Sequence, residues 1–120
     1  MPKEFGRNRR VAQLIKEELA ILIQKRFPIS QYGLVTLTSV DVSPDLKNSK
    51  VYITNLNMKK SKSELIDDLN SQAGNFRHEI SRLLTSRTVP SLSFNYDESI
   101  ERAHRLNDII ESASSKKNNI

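Results

Sequence analysis

The chain of 120 residues has no cysteine and no tryptophan, only three glycines and four prolines, and 6 % aromatic residues. Lack of cysteine excludes disulfides, thiol nucleophiles and thiolate metal sites together. No glycine-rich phosphate loop or dinucleotide fingerprint is present. No apolar run approaches the ~18 residues that a membrane span needs. The opening MPKEFGRNRR also lacks the apolar stretch of a signal peptide, so a cytoplasmic protein is expected. Scarce aromatics leave little base-stacking capacity, which argues against a reader of single-stranded sequence. The two histidines, His78 and His104, fall in different expected helices with no serine–acid partner suggested. Asp41, Asp45, Asp67 and Asp68 show no metal-ligand spacing. The expectation is therefore no catalysis, no cofactor and no metal site, in one domain able to bury a single modest core.

What the chain has is positive charge, placed unevenly. Lys and Arg number 19 against 14 Asp and Glu, a net +5. Residues 1–33 carry +4, residues 34–60 carry +2, and residues 97–120 carry −1. Residues 61–96 sum to zero but divide into −2 over 61–72 and +2 over 73–96. Localised positive potential of this kind is the usual footprint of a nucleic-acid binder. The bland alternative is a solvated basic surface.

Apolar residues at helical spacing, Val11, Ile15, Leu19, Leu22 and Ile23, predict a first helix ending near Arg26 or Phe27. LVTLTSVDVS at 34–43 predicts a strand whose alternation changes phase, which requires a bulge near Thr38–Ser39. A turn over SPDLKNS leads to a second strand at 50–56. Ser61 followed by Glu64 fits a capping box for the next helix. Its stripe, Leu65, Ile66, Leu69, Ala73, Phe76, Ile80, Leu83 and Leu84, keeps phase through Gly74, so a bend is expected at Ala73–Gly74. TVPSLSFNY at 88–96 predicts a third strand with Phe94 and Tyr96 inward. Tyr52 lies on the parity opposite to Val51 and Ile53 and is expected to be exposed. Asp97 is placed to cap a last helix carrying Ile100, Ala103, Leu106, Ile109 and Ile110. The expected fold is α+β, with a three-stranded sheet and helices packed on one face. The domain spans 1–112, and 113–120 is expected to be a disordered tail.

RRVAQLIKEEL at 9–19, TSVDVSPDLKNSKVYI at 38–53, AGNFRHEISRLLTSRTVPSLSFNYDES at 73–99 and RLNDII at 105–110 together resemble the ribosome-binding factor A family. KEFGRNRRVAQ at 3–13 is especially similar to its bacterial pattern. The resemblance runs from Glu4 to Ile110. It implies a KH-like domain of the type-II arrangement, in the order α-β-β-α(kink)α-β-α. It also implies a ribosome assembly factor that binds the free small (30S) subunit and assists late maturation of 16S rRNA, with a link to growth in the cold. The implied partners are 16S rRNA in the free subunit, other assembly factors and a GTPase, and the expected state is a monomer. A KH domain clamps nucleic acid with a GxxG loop between two helices. Here Ala73-Gly74-Asn75-Phe76 has one glycine and an aromatic in place of the second. Recognition is expected to rely instead on basic side chains and on the shape of folded RNA.

The candidate contacts follow from the charges. Lys3, Arg7, Arg9 and Arg10 form a basic arm running into the first helix, with Lys16 further along its exposed side. Cations at a helix N-terminus oppose the macrodipole, so helix stability does not account for them. Beyond the bend, His78 and Arg82 face away from Phe76 and Ile80, Arg77 lies at the flank, and Arg87 follows the helix. Lys47 flanks the first turn. Lys50, Lys59, Lys60 and Lys62 are read as solubility charges, and Arg102 and Arg105 as local partners of Glu101 and Asp108. The competing function is a protein–protein module whose basic face meets an acidic partner.

Overall fold

The computed structural model describes residues 2–56, 59–84 and 89–118, with side chains at 6–56, 59–84, 89–99 and 102–111. Helix α1 (Pro2–Arg26) is followed by a single turn, α2 (Ile29–Tyr32). Strands β1 (Leu34–Val42) and β2 (Asn48–Leu56) form a hairpin, and helices α3 (Lys62–Ser71) and α4 (Ala73–Leu83) cross to β3 (Ser91–Tyr96). Helix α5 (Ser99–Asn118) closes the order. The sheet runs β1-β2-β3, with β1 antiparallel and β3 parallel to the central β2.

One face of the sheet supplies half of the core. The bulge predicted from the phase change is present: the register slips between Leu37 and Ser39. Thr38 is the extra residue, and its hydroxyl donates to Tyr52 O at 3.1 Å and to Asp97 Oδ2 at 2.6 Å. With the slip, Val35, Leu37, Val40 and Val42 turn to the same side as Val51, Ile53, Leu92 and Phe94. Against them pack Ile15, Leu19 and Ile23 of α1, Leu65 and Leu69 of α3, and Phe76 and Ile80 of α4. The Phe76 ring lies 6.2 Å from Phe27 and 5.8 Å from Phe94, joining the two helical units to the sheet.

Local chemistry explains the element ends. Ser61 caps α3, its hydroxyl accepting from Glu64 N, and it also donates to Glu64 Oε1. Gly33, with φ 82° and ψ −175°, ends α2 in a backbone region that side chains avoid. The short α2 was not foreseen from sequence; Pro28 and Gly33 enclose a turn too brief for any periodicity to register.

Three expectations are corrected. The break between the paired helices lies at Gln72 (φ −98°, ψ 1°), one residue ahead of Ala73–Gly74, and Gly74 sits in the first turn of α4. Gln72 N bonds to Leu69 O, and its own carbonyl accepts from Phe76 N, so the bend is a tightened turn rather than a glycine hinge. Leu83, counted on the buried stripe, is 59 % exposed, while its neighbour Leu84 packs against the core. The largest correction concerns α5. It does not lie on the helical face of the sheet: every described side chain of 102–111 is exposed, including Leu106, Ile109 and Ile110. Ile100 lies outside the described side chains. The helix also continues to Asn118, past residue 112, where the sequence reading ended the domain. Its projection shows in the dimensions: the radius of gyration is 17.8 Å and the longest axis 64 Å, against about 14 Å of radius for a compact chain of this length.

Candidate nucleic-acid interface

The interface is built at the end of the sheet where β1 finishes and β2 and β3 begin. Helix α1 runs antiparallel to β1, and its first turns are tied there by Asn8, whose side-chain amide donates to Val42 O at 3.0 Å. Arg7, Arg9 and Arg10 therefore stand exposed beside the β1–β2 turn. That turn is closed by Ser43 N to Asn48 O and by the Asp45 carboxylate, which accepts from the Ser43 hydroxyl and from Lys47 N. These bonds hold the Asp45 carboxyl below its ordinary range, the Ser43 hydroxyl contributing most. Lys47 is thus presented from a fixed backbone, and its carbonyl accepts from Ser91 N.

The same end receives α4. Arg77 donates from Nε to Val89 O at 3.0 Å, just before β3 opens. Arg77, His78, Ser81, Gly74 and Val89 line a shallow recess of about 310 Å³. Ser81 donates its hydroxyl to His78 O, and His78 and Arg82 are exposed one turn apart. The bonds Asn8–Val42, Ser43–Asn48, Lys47–Ser91 and Arg77–Val89 make a continuous path from the basic start of α1 to the basic face of α4. These bonds bring the first turns of α1, the β1–β2 turn and the Arg77 side chain to the same end of the sheet. Lys16 lies about 10 Å along α1 from Arg9, on the same flank and half-buried. The Lys3 side chain and all of Arg87 lie outside the described residues.

The described cations differ in whether they are paired. Arg7, Arg9, Arg10, Lys16, Lys47, Arg77 and Arg82 form no ion pair with the described residues. Arg26, by contrast, pairs with Glu79 of α4 and lies 5.2 Å over the Phe76 ring. Lys60 pairs with Asp68 at 3.4 Å and sits 4.7 Å over the Tyr32 ring. Lys62 pairs with Glu98 and stacks 4.9 Å from Tyr96. Arg102 reaches Glu98 rather than Glu101, whose side chain lies outside those described. Lys25, Lys50, Lys59 and Arg105 likewise form no ion pair with the described residues.

The family described as ribosome-binding factor A matches residues 7–110. The chain belongs to the ribosome-binding factor A family. The ribosome-binding factor A of Nitrosococcus oceani is 41 % identical over 117 residues, spanning 98 % of this chain and 92 % of that one. That of Coxiella burnetii is 44 % identical over 110 residues, 92 % of each chain. Among solved structures, the ribosome-binding factor A of Thermus thermophilus matches with a TM-score of 0.63 at 21 % identity, covering 74 % of this chain and 94 % of the other. A homology model of the same Thermus factor, fitted into a cryo-EM map of its complex with the 30S particle, matches at 0.58 and 19 % identity, over 71 % and 89 %. The α+β, KH-like arrangement that the resemblance implied is the fold observed.

In this family member several positioning residues carry no sequence signal. Asn70 of α3 grips β3 from the side, donating to Phe94 O at 3.1 Å and accepting from Phe94 N at 2.8 Å. Asn55, buried in β2, donates to Tyr32 O and accepts from the Tyr96 hydroxyl. Tyr96, expected inward, is half-buried for that reason, and Tyr52 is half-buried rather than fully exposed. The Tyr32 hydroxyl donates to Asp68, and burial followed by that bond raises its pKa. An asparagine in a helix or strand is uninformative until its partner is known. No helix among the described residues is long and apolar enough to cross a membrane.

Proposed function

We propose that this chain is an assembly factor that binds the free small ribosomal subunit and assists late maturation of 16S rRNA by occupancy, without making or breaking bonds. The observation that carries the reading is the set of exposed cations in no described ion pair, Arg7, Arg9, Arg10, Lys47, Arg77 and Arg82, on the two helices and the turn joined by the Asn8–Arg77 path. Unpaired guanidinium and ammonium groups there meet RNA phosphates without first breaking a salt bridge. Arg77, fixed through Nε, keeps its terminal nitrogens for a phosphate beside His78 and Ser81. The buried Phe76 and Phe94 offer no ring to a base, so phosphates and the shape of folded RNA are what the surface can read. A ligand that binds one rRNA conformer better shifts the population by that difference in affinity.

The test is binding to purified free subunits across a salt series. Neutralising ~5 phosphates predicts a log–log slope of about −3.5 to −4.5. Arg10→Glu with Arg82→Glu is expected to abolish association while leaving the melting temperature nearly unchanged, since both side chains are exposed and unpaired. Undiminished binding by that double variant would overturn the assignment of the face.

A further inference from the structure

The helices leave one face of the sheet uncovered. Helices α1, α3 and α4 all pack on the side that carries Val51, Ile53, Leu92 and Phe94, and α5 packs extensively on no described strand. On the other side the pairing register lines up three rows: Thr36 with Thr54, Ser39 with Tyr52 and Asn95, and Asp41 with Lys50 and Ser93. Thr54 is only 8 % exposed, whereas Ser39, Asp41, Lys50 and Ser93 are exposed and Tyr52 and Asn95 half-buried. The open stretch therefore runs from Tyr52 toward the β1–β2 turn. A solvated sheet face is ordinarily polar throughout; this one has a ring at its centre.

Tyr52 also differs from the other described aromatics. Phe27, Phe76 and Phe94 are buried in the core. Tyr32 and Tyr96 each donate the hydroxyl to a neighbour, and each has a lysine over its ring. Among the described residues, Tyr52 has neither a partner for its hydroxyl nor a cation over its ring.

We propose that this face takes one unpaired RNA nucleotide, its base stacked on Tyr52 and its phosphate met by Lys50; the inference rests on the proposed RNA-binding function and extends it to a base. Stacking suits any base, since each has a π-face. Ser39, Ser93 and Asn95 carry the donors and acceptors that a base edge or a ribose hydroxyl takes. Lys50 lies two residues from Tyr52, about 7 Å along β2, and forms no ion pair with the described residues. Lys47 stands at the end of the open stretch and belongs to the cations assigned to phosphates, so the face continues that surface. The three rows contain no Leu, Ile, Val or Met, so a protein partner finds little there to bury, whereas a nucleotide uses both the ring and the polar groups. One stacked base reads no sequence; it adds an unpaired position to a surface that otherwise takes phosphates and shape.

Binding of the full chain to purified free subunits tests this. Tyr52→Leu keeps an apolar side chain without a π-face and is expected to weaken binding about 5- to 150-fold, the range for one base–aromatic stack. Its salt slope is expected to stay at the parent value, since no phosphate contact is lost. Tyr52→Phe is expected to bind like the parent, and Lys50→Gln to flatten the slope by about 0.7–0.9. Ultraviolet crosslinking of the parent chain on subunits, read by mass spectrometry, is expected to place a nucleotide on Tyr52. Parent-like binding by a folded Tyr52→Leu overturns the proposal and leaves the basic face standing. Equal loss in the leucine and phenylalanine variants overturns it too, because the hydroxyl rather than the ring would then act. Absence of a Tyr52 crosslink on bound subunits overturns it whether or not the leucine variant folds. Failure of the parent chain itself to bind subunits removes the basic face and the nucleotide site together.

Discussion

Gly74 and Gly33 have opposite requirements. Gly74 is helical, its φ is not positive, and an added Cβ there meets nothing within 4 Å. Gly74→Ala is expected to stabilise by up to about 0.5–1 kcal/mol in urea denaturation. Gly33 sits where only glycine is comfortable, and Gly33→Ala is expected to cost about 1–3 kcal/mol in the same assay. Asp97 yields a pH prediction. Its carboxylate is held below the ordinary 3.8 first by hydrogen bonding to Ser99 and then by the Thr38 hydroxyl. A depressed folded pKa contributes stability above the unfolded value and loses it as pH falls through the folded one. Asp97→Asn should therefore be less stable than the parent at pH 7, with the gap closing well below 3.8. A gap constant across that acid range would assign the effect to geometry rather than ionisation.

The elements show what a sequence can and cannot reveal. The bulge at Thr38 was legible because β1 buries one face, and a buried face forces the apolar parity to declare itself. The Ser61–Glu64 cap was legible because both halves of the device are side chains at fixed spacing. The break at Gln72 was not: the apolar phase is continuous across it, and glycine two residues on is the more conspicuous residue. For α5, amphipathicity announces an apolar face but never says which molecule covers it. In the interface, Arg9, Arg10, Arg77 and Arg82 were legible as charge, whereas Asn8 and Ser91, which hold the elements in register, act through backbone partners far along the chain. The Asn70 clamp is of that second kind. Replacing it with alanine removes two bonds to β3 and is expected to cost about 1–3 kcal/mol by thermal melting, without altering the charged face.

Across the whole molecule, the proposed function assigns recognition to cations other than those held in ion pairs. Arg26 is bound to Glu79 and stacked on Phe76. Arg26→Ala is expected to cost about 1 kcal/mol of stability while leaving subunit affinity nearly unchanged in a filter-binding assay. Arg82→Ala should do the reverse. A variant series in which the two effects moved together would dissolve the division between paired and unpaired cations.

That division has a kinetic consequence. Unpaired Arg7, Arg9, Arg10, Lys47, Arg77 and Arg82, on a chain of net charge +5, set up a positive field that acts beyond contact distance at low ionic strength. On the proposed assignment a polyanion is drawn to those groups before any surfaces touch, so encounters begin already oriented. Added salt should then slow arrival more than it hastens departure, which stopped-flow measurements on labelled subunits would resolve.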